Sequence, residues 1–171
     1  WAPVLDQAAR DLLVRAAAEV RLPAAPTILD VGTGHGVLAF AALERWPDAT
    51  VIAADASSGM LREARSAAAR AGHGEDPRLR WAHAPADALG VPDGSVDLAV
   101  SSFVYQLVPD RAAAFADALR VLRPGGALAF VTWLDRGDDY APAFEFDEAV
   151  LDLEIDEGEP EGEDIRAGDF R

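Results

Sequence analysis

The segment Thr27-Ile28-Leu29-Asp30-Val31 runs directly into Gly32-Thr33-Gly34-His35-Gly36, and this junction constrains the fold more than any other stretch of the chain. A short, apolar, β-branched run of this kind predicts a strand buried on both faces, as in a parallel sheet. Glycines at its end let the backbone take angles that side chains forbid and come close to a ligand. Val37 to Arg45 then reads as a helix, whose unpaired N–H groups and positive end point toward the same place. Strand, glycine turn and helix in this order predict a binding crevice at the carboxyl end of the strand.

The same unit recurs along the chain. Thr50 to Ala54 predicts a second strand, and Ser58 to Ala71 a helix capped by Ser57 or Ser58 and ended by Gly72. Leu79 to His83 and Val96 to Ser101 predict a third and a fourth strand, the latter preceded by the turn Pro92-Asp93-Gly94-Ser95. Asp110 is placed to cap a helix with Phe115, Ala118, Leu119 and Leu122 as its buried stripe. Arg123-Pro124-Gly125-Gly126 then breaks that helix, and Ala127 to Trp133 reads as a fifth strand. Upstream, Leu5, Ala9, Leu12, Ala16 and Val20 lie at helical spacing and predict a first amphipathic helix. The alternation implies the α/β class: a Rossmann-like, doubly wound, mainly parallel sheet with right-handed crossovers and helices on both faces.

Composition narrows the chemistry. The chain has no cysteine, and its 15 basic residues are all arginine, so thiolate nucleophiles, disulfides, Cys-ligated zinc and Schiff-base lysines are excluded. His35, His73 and His83 match no zinc spacing, and no metal is expected. No apolar run approaches the roughly 20 residues that span a bilayer, and the expectation is a cytoplasmic protein without a membrane partner. A formal charge of −15 argues against a nucleic-acid partner. Residues 135 to 171 hold 15 acids against 3 arginines, while residues 1 to 134 hold 15 against 12. That acidic segment reads as a solvated tail, with a cation-binding or partner-binding role as the alternative.

Two acids stand out beside the glycines. Dinucleotide-binding folds usually show G-x-G-x-x-G, whereas here the order is D-x-G-x-G-x-G, with Asp30 ahead of the first glycine. Asp55 ends the second strand 19 residues after Gly36, where its two oxygens can accept both hydroxyls of a ribose. Its alternative is a cap on the following helix.

The segments ILDVGTGHGVLAF, VIAADASSGML, APADALGVPDGSVDLAVSSFVYQLV and LRVLRPGGALAF, in this order and approximate spacing, resemble the class I S-adenosylmethionine-dependent methyltransferases. The likeness is to the small-molecule group that includes the quinone-biosynthesis methyltransferases, and it covers residues 25 to 133. It implies S-adenosyl-L-methionine as cofactor. Asp30, Gly32, Thr33, Gly34 and Gly36 resemble the motif around its amino-acid part, and Asp55 with Ala56 the ribose site. Met60 resembles an apolar residue that rests on the adenine. Asp87, between Ala86 and Ala88, resembles the acid turn that recognises the adenine amino group, a plain loop aspartate being its alternative. Ser101 and Ser102 fall where the family approaches the methionine portion, and Phe103, Tyr105 and Gln106 where it meets the methyl group and acceptor. Many relatives carry a histidine near the position of Gln106; this chain does not, and no catalytic base is assigned.

The expected function is methyl transfer to a small-molecule acceptor by in-line displacement. The alternatives are an NAD(P)-dependent oxidoreductase of Rossmann type, which shares the strand-glycine-helix-acid layout, and a non-catalytic or truncated cofactor-binding module. One domain is expected, with a helix in residues 1–24, the cofactor-binding core in 25–133 and a substrate-covering or tail segment in 134–171. Class I enzymes normally finish with two further strands, which nothing after Trp133 supplies, so this sequence is expected to be part of a longer protein. Otherwise the edge of the fifth strand needs another cover.

Overall fold

The computed structural model describes residues 2–133 of the chain. The acidic segment from residue 134 onward, expected as a substrate-covering or tail segment, lies outside the described residues. The elements are α1 (Ala2–Glu19), β1 (Thr27–Val31), α2 (Val37–Arg45), β2 (Thr50–Asp55), α3 (Ser58–Ala71), β3 (Leu79–His83), β4 (Val96–Ser102), a 3-10 turn (Tyr105–Leu107), α4 (Arg111–Val121) and β5 (Leu122–Val131). The five strands form one sheet in the order β3-β2-β1-β4-β5, and every pairing is parallel. No helix among the described residues is long and apolar enough to cross a membrane.

Both faces of the sheet are covered, and the period-2 alternation of β1 shows how. Ile28 packs with α1 and α2 in one core, together with Val51, Ala53, Leu98 and Val100. Leu29 and Val31 turn the opposite way into a second core with Ala54, Ala99 and the α4 residues Ala114 and Val121. Asp30 shares the parity of Ile28 and is therefore carried toward the start of α2.

Three sequence expectations shift. The deep face of α1 is Ala9, Leu13 and Ala16, with Leu12 half-buried, because the helix is turned slightly from the expected stripe. In α4 the buried set is Ala114, Ala118 and Val121, while Leu119 is 62% exposed. α4 ends ahead of Arg123-Pro124-Gly125-Gly126 as expected, but the strand starts earlier than Ala127: β5 begins at Leu122, directly after α4. Its register shifts opposite Val96 and Leu98, and Gly125 has φ 83, so the proline and glycines form an irregularity inside the strand. Asp97 ties this end of the sheet together, accepting from Thr27 N–H at 2.7 Å and from Arg123 Nη1 at 2.8 Å.

Candidate functional site

The strand order reverses between β1 and β4, and open α/β sheets bind ligands in the crevice at such a switch point, beyond the carboxyl ends of the strands. The glycine turn of residues 32–36 lies there. Thr33 N–H donates to Ala54 O at 2.8 Å, Gly36 N–H to Thr33 O at 2.8 Å and Gly34 N–H to Asp55 Oδ2 at 2.9 Å. Gly32, Gly34 and Gly36 have φ of 70, 54 and 87, the left-handed region that L side chains rarely adopt. A side chain at Gly32 would strike Val104 and one at Gly36 would strike the Phe40 ring, whereas one at Gly34 would enter open space. The turn is thus packed at both ends and open in the middle.

Asp30 is 1% exposed. Its Oδ2 accepts from Thr33 Oγ1 at 2.7 Å and from Ala39 N–H in the first turn of α2 at 3.1 Å, while Oδ1 is buried without a partner. Burial pushes the carboxyl up to about 7; the two bonds oppose this and the nearby Asp55 charge adds to it.

Asp55 accepts from Ser57 N–H through Oδ1 at 2.8 Å as well as from Gly34 through Oδ2. The cap of α3 is Ser57, whose Oγ accepts from Met60 N–H at 3.2 Å, so Asp55 does not cap that helix itself. Each Asp55 oxygen uses one lone-pair direction and keeps another for a hydroxyl donor. Ala56 is exposed beside it, its carbonyl 2.9 Å from His83 Nε2, and Met60 stands 40% exposed on the first turn of α3. Ala86, Asp87 and Ala88 form a turn after β3, with Asp87 exposed at its apex.

The β4 end holds the remaining residues. Ser101 is fully buried and donates to Val31 O at 2.9 Å, locking the ends of β4 and β1 together. Ser102 is half-buried. Phe103 has φ 57, the one positive value outside glycine among the described residues, and packs against Trp133 with ring centroids 4.5 Å apart and the rings tilted by 31°. For a bulky residue that angle is strained. Gln106 donates to Phe103 O at 2.6 Å and accepts from Thr132 Oγ1 at 2.8 Å, which turns its amide to bracing the β4 and β5 ends. Tyr105 is 3% exposed, packed against Phe115 and Phe130. Its ring therefore sits in the core, whereas the sequence expectation set it toward an acceptor.

Sequence reasoning missed Val104, the His83 tie and Asp97; only Asp97 left a signal, as an acid interrupting the apolar run Val96 to Val100. Among the described residues no group of three His, Asp or Glu side chains is placed to hold a metal.

Residues 28–126 match the methyltransferase domain family. The chain is 42% identical over 123 residues to a trans-aconitate 2-methyltransferase of Azoarcus sp., covering 72% of this chain and 44% of that one. It is 39% identical over 115 residues to a demethylmenaquinone methyltransferase of Thermus thermophilus, covering 67% and 50%. The chain thus spans about half, or less, of the length of these relatives. A crystal structure of an S-adenosylmethionine-dependent methyltransferase from Aquifex aeolicus matches in fold, with a TM-score of 0.62 at 21% identity, covering 81% and 76%. Since the family match takes in the glycine turn, Asp55, the Asp87 turn and β4, this chain belongs to the methyltransferase domain family and carries the class I methyltransferase fold.

Proposed function

We propose that this domain binds S-adenosyl-L-methionine over the glycine turn and transfers its methyl group to a small-molecule acceptor. The observation that carries this reading is the Asp55 carboxylate held against Gly34, an acid for a ribose joined to a glycine turn with open space at its centre. The unpartnered Oδ1 of buried Asp30 fits the same ligand, because a cationic amino group is the chemistry that would satisfy it.

When bound, the cofactor supplies a methyl group already activated on a sulfonium, which an acceptor takes by in-line displacement. The chain's own contribution is positioning. Asp30 and the turn of residues 32–36 hold the amino-acid end, Asp55 orients the ribose, and Asp87 with Met60 holds the base. Ser101 keeps β1 and β4 in register beneath the crevice, and the Phe103 and Gln106 loop borders the acceptor side. The small-molecule acceptor is supported by the names of the two relatives, one acting on trans-aconitate and one on demethylmenaquinone. Neither the nicotinamide-dependent reading nor the non-catalytic one is favoured by the comparisons.

Titration calorimetry of the chain with S-adenosylhomocysteine tests the binding step. Label transfer from methyl-labelled S-adenosylmethionine to a panel of polycarboxylate and quinol acceptors tests the chemistry. Absence of binding heat together with absence of transfer sinks the reading.

A further inference from the structure

The arch that carries Asp87 is fastened at its start to the backbone of Asp55 and at its far end by groups outside the site. At its start, Ala84 N–H donates to the backbone oxygen of Asp55 at 3.0 Å, which ties the arch to the end of β2. The arch then turns, with Ala88 N–H donating to Pro85 O at 3.1 Å. At its far end, Leu89 N–H donates to Asp117 Oδ2 on α4 at 2.7 Å. Arg120, one turn further along α4, donates from Nε to Asp117 Oδ1 at 2.7 Å and from Nη1 to Val91 O at 2.9 Å, and it also pairs with Asp93. Leu89 and Val91 are buried in the core beneath, 2% and 6% exposed. Burial works to raise the Asp117 carboxyl, but the Arg120 guanidinium and the Leu89 N–H outweigh it and hold it below the ordinary carboxylate range. Asp117 thus meets Leu89 as a charged acceptor, stronger than a neutral one.

From this strap, resting on the reading of the crevice as an S-adenosylmethionine site, we infer that Asp117 and Arg120 are positioning residues for Asp87 and set the selectivity for the purine 6-substituent. Asp87 lies two residues from the strapped amide and three from the tied one. Within so short an arch, a rotation of the 88–89 peptide redirects the Asp87 carboxylate. A carboxylate accepts from a 6-amino group and has no donor for a 6-oxo group, so base discrimination depends on its direction. Simple anchorage of the loop would add stability without altering that discrimination.

The test is a ratio of affinities. Dissociation constants for S-adenosylhomocysteine and S-inosylhomocysteine are measured by calorimetry on the 171-residue chain and on Asp87→Asn, Asp117→Ala and Asp117→Asn, beside their thermal midpoints. The unsubstituted chain is expected to prefer the adenine ligand by about tenfold or more, the worth of one charge-assisted hydrogen bond. Asp117→Ala is expected to shrink that preference toward the Asp87→Asn value, and Asp117→Asn, which keeps an oxygen for Leu89 but sets its amide N–H against Arg120 Nε, to restore only part of it. If Asp117→Ala does not fold, Arg120→Gln loosens the same strap and is read in the same ratio. An unchanged ratio beside a lowered midpoint overturns the inference, as does equal binding of both ligands by the unsubstituted chain. Binding of neither ligand defeats instead the reading on which it rests.

Discussion

The Asp55 carboxylate at the end of β2 accepts the Gly34 N–H at 2.9 Å, so an acid and a glycine turn 21 residues apart form one hydrogen-bonded unit. The same carboxylate fixes Ser57, the residue that caps α3. Parallel pairing of Asp30 with Ala53 and of Val31 with Ala54 brings the two strand ends level, and the bond follows from that register.

Replacing Asp55 by asparagine leaves one oxygen where two are used. With that oxygen on Ser57, the amide group faces the Gly34 N–H, donor against donor. Affinity for S-adenosylhomocysteine is expected to fall by about tenfold to a hundredfold, the worth of hydrogen bonds to a charged group. Calorimetry reads this, and an unchanged dissociation constant would take Asp55 out of the binding site.

Two glycines of the turn separate folding from binding. At Gly34, with φ 54 and no atom within 4 Å of an added Cβ, alanine is expected to cost about 1–2 kcal/mol of stability through the backbone alone. Its methyl group nevertheless enters the open centre of the turn and should abolish most of the ligand affinity. At Gly36 an alanine also meets Phe40, whose ring stacks on His73, and overpacking adds about 1–3 kcal/mol. Urea unfolding of the two variants should rank Gly36→Ala as the less stable, and the opposite ranking refutes the packing account.

Much of this arrangement was legible in the sequence, for physical reasons. The spans of α2 and α3 follow from local signals, glycine or serine at the start and proline or glycine at the end, and β3 from its position between Pro77 and Pro85. Where tertiary contacts decide, the sequence misled. Leu119 lies at helical spacing from Phe115 and Leu122, yet α4 turns its alanines to the sheet, because small side chains let the helix approach closely. Pro124 and the glycines end the helix as expected, yet the strand expected to start only at Ala127 already pairs with β4 at Leu122. The placement of Asp30 and Asp55 beside the glycine turn was legible because each follows directly from an apolar strand read ahead of it. The core placement of Tyr105 was not, because no local pattern shows where a ring after a strand will fold.

Asp30 makes the site pH-dependent. Its folded carboxyl, pushed up to about 7 from 3.8, keeps a proton that the unfolded chain releases. The folded state therefore binds more protons between those values, and stability falls as pH rises from about 4 to about 7, then levels off. Asp30→Asn carries no such proton and lacks this slope. Over that window the stability difference should move in favour of the variant by up to about 4 kcal/mol, at about 1.4 kcal/mol per unit. Denaturant unfolding between pH 4 and 8 checks this, and parallel curves for the two proteins contradict it. A cationic group bound at Oδ1 draws the proton off, so S-adenosylhomocysteine should bind more weakly at pH 6 than at pH 8.

Tyr105 offers the sharpest contrast between packing and chemistry. Its hydroxyl is buried without a partner, and burial, with a smaller contribution from the Asp117 charge, pushes the phenol up to about 12. It is therefore expected to stay protonated at neutral pH. An unsatisfied buried hydroxyl costs about 1–3 kcal/mol, so Tyr105→Phe, which keeps the ring against Phe115 and Phe130, should raise stability by about 1 kcal/mol. Methyl-transfer turnover should stay at the parent rate, because the ring is expected to act by supporting the loop that carries Phe103 and Gln106. A turnover loss of about tenfold, which is about 1.4 kcal/mol in the barrier, at an unchanged thermal midpoint would instead place the hydroxyl against the acceptor.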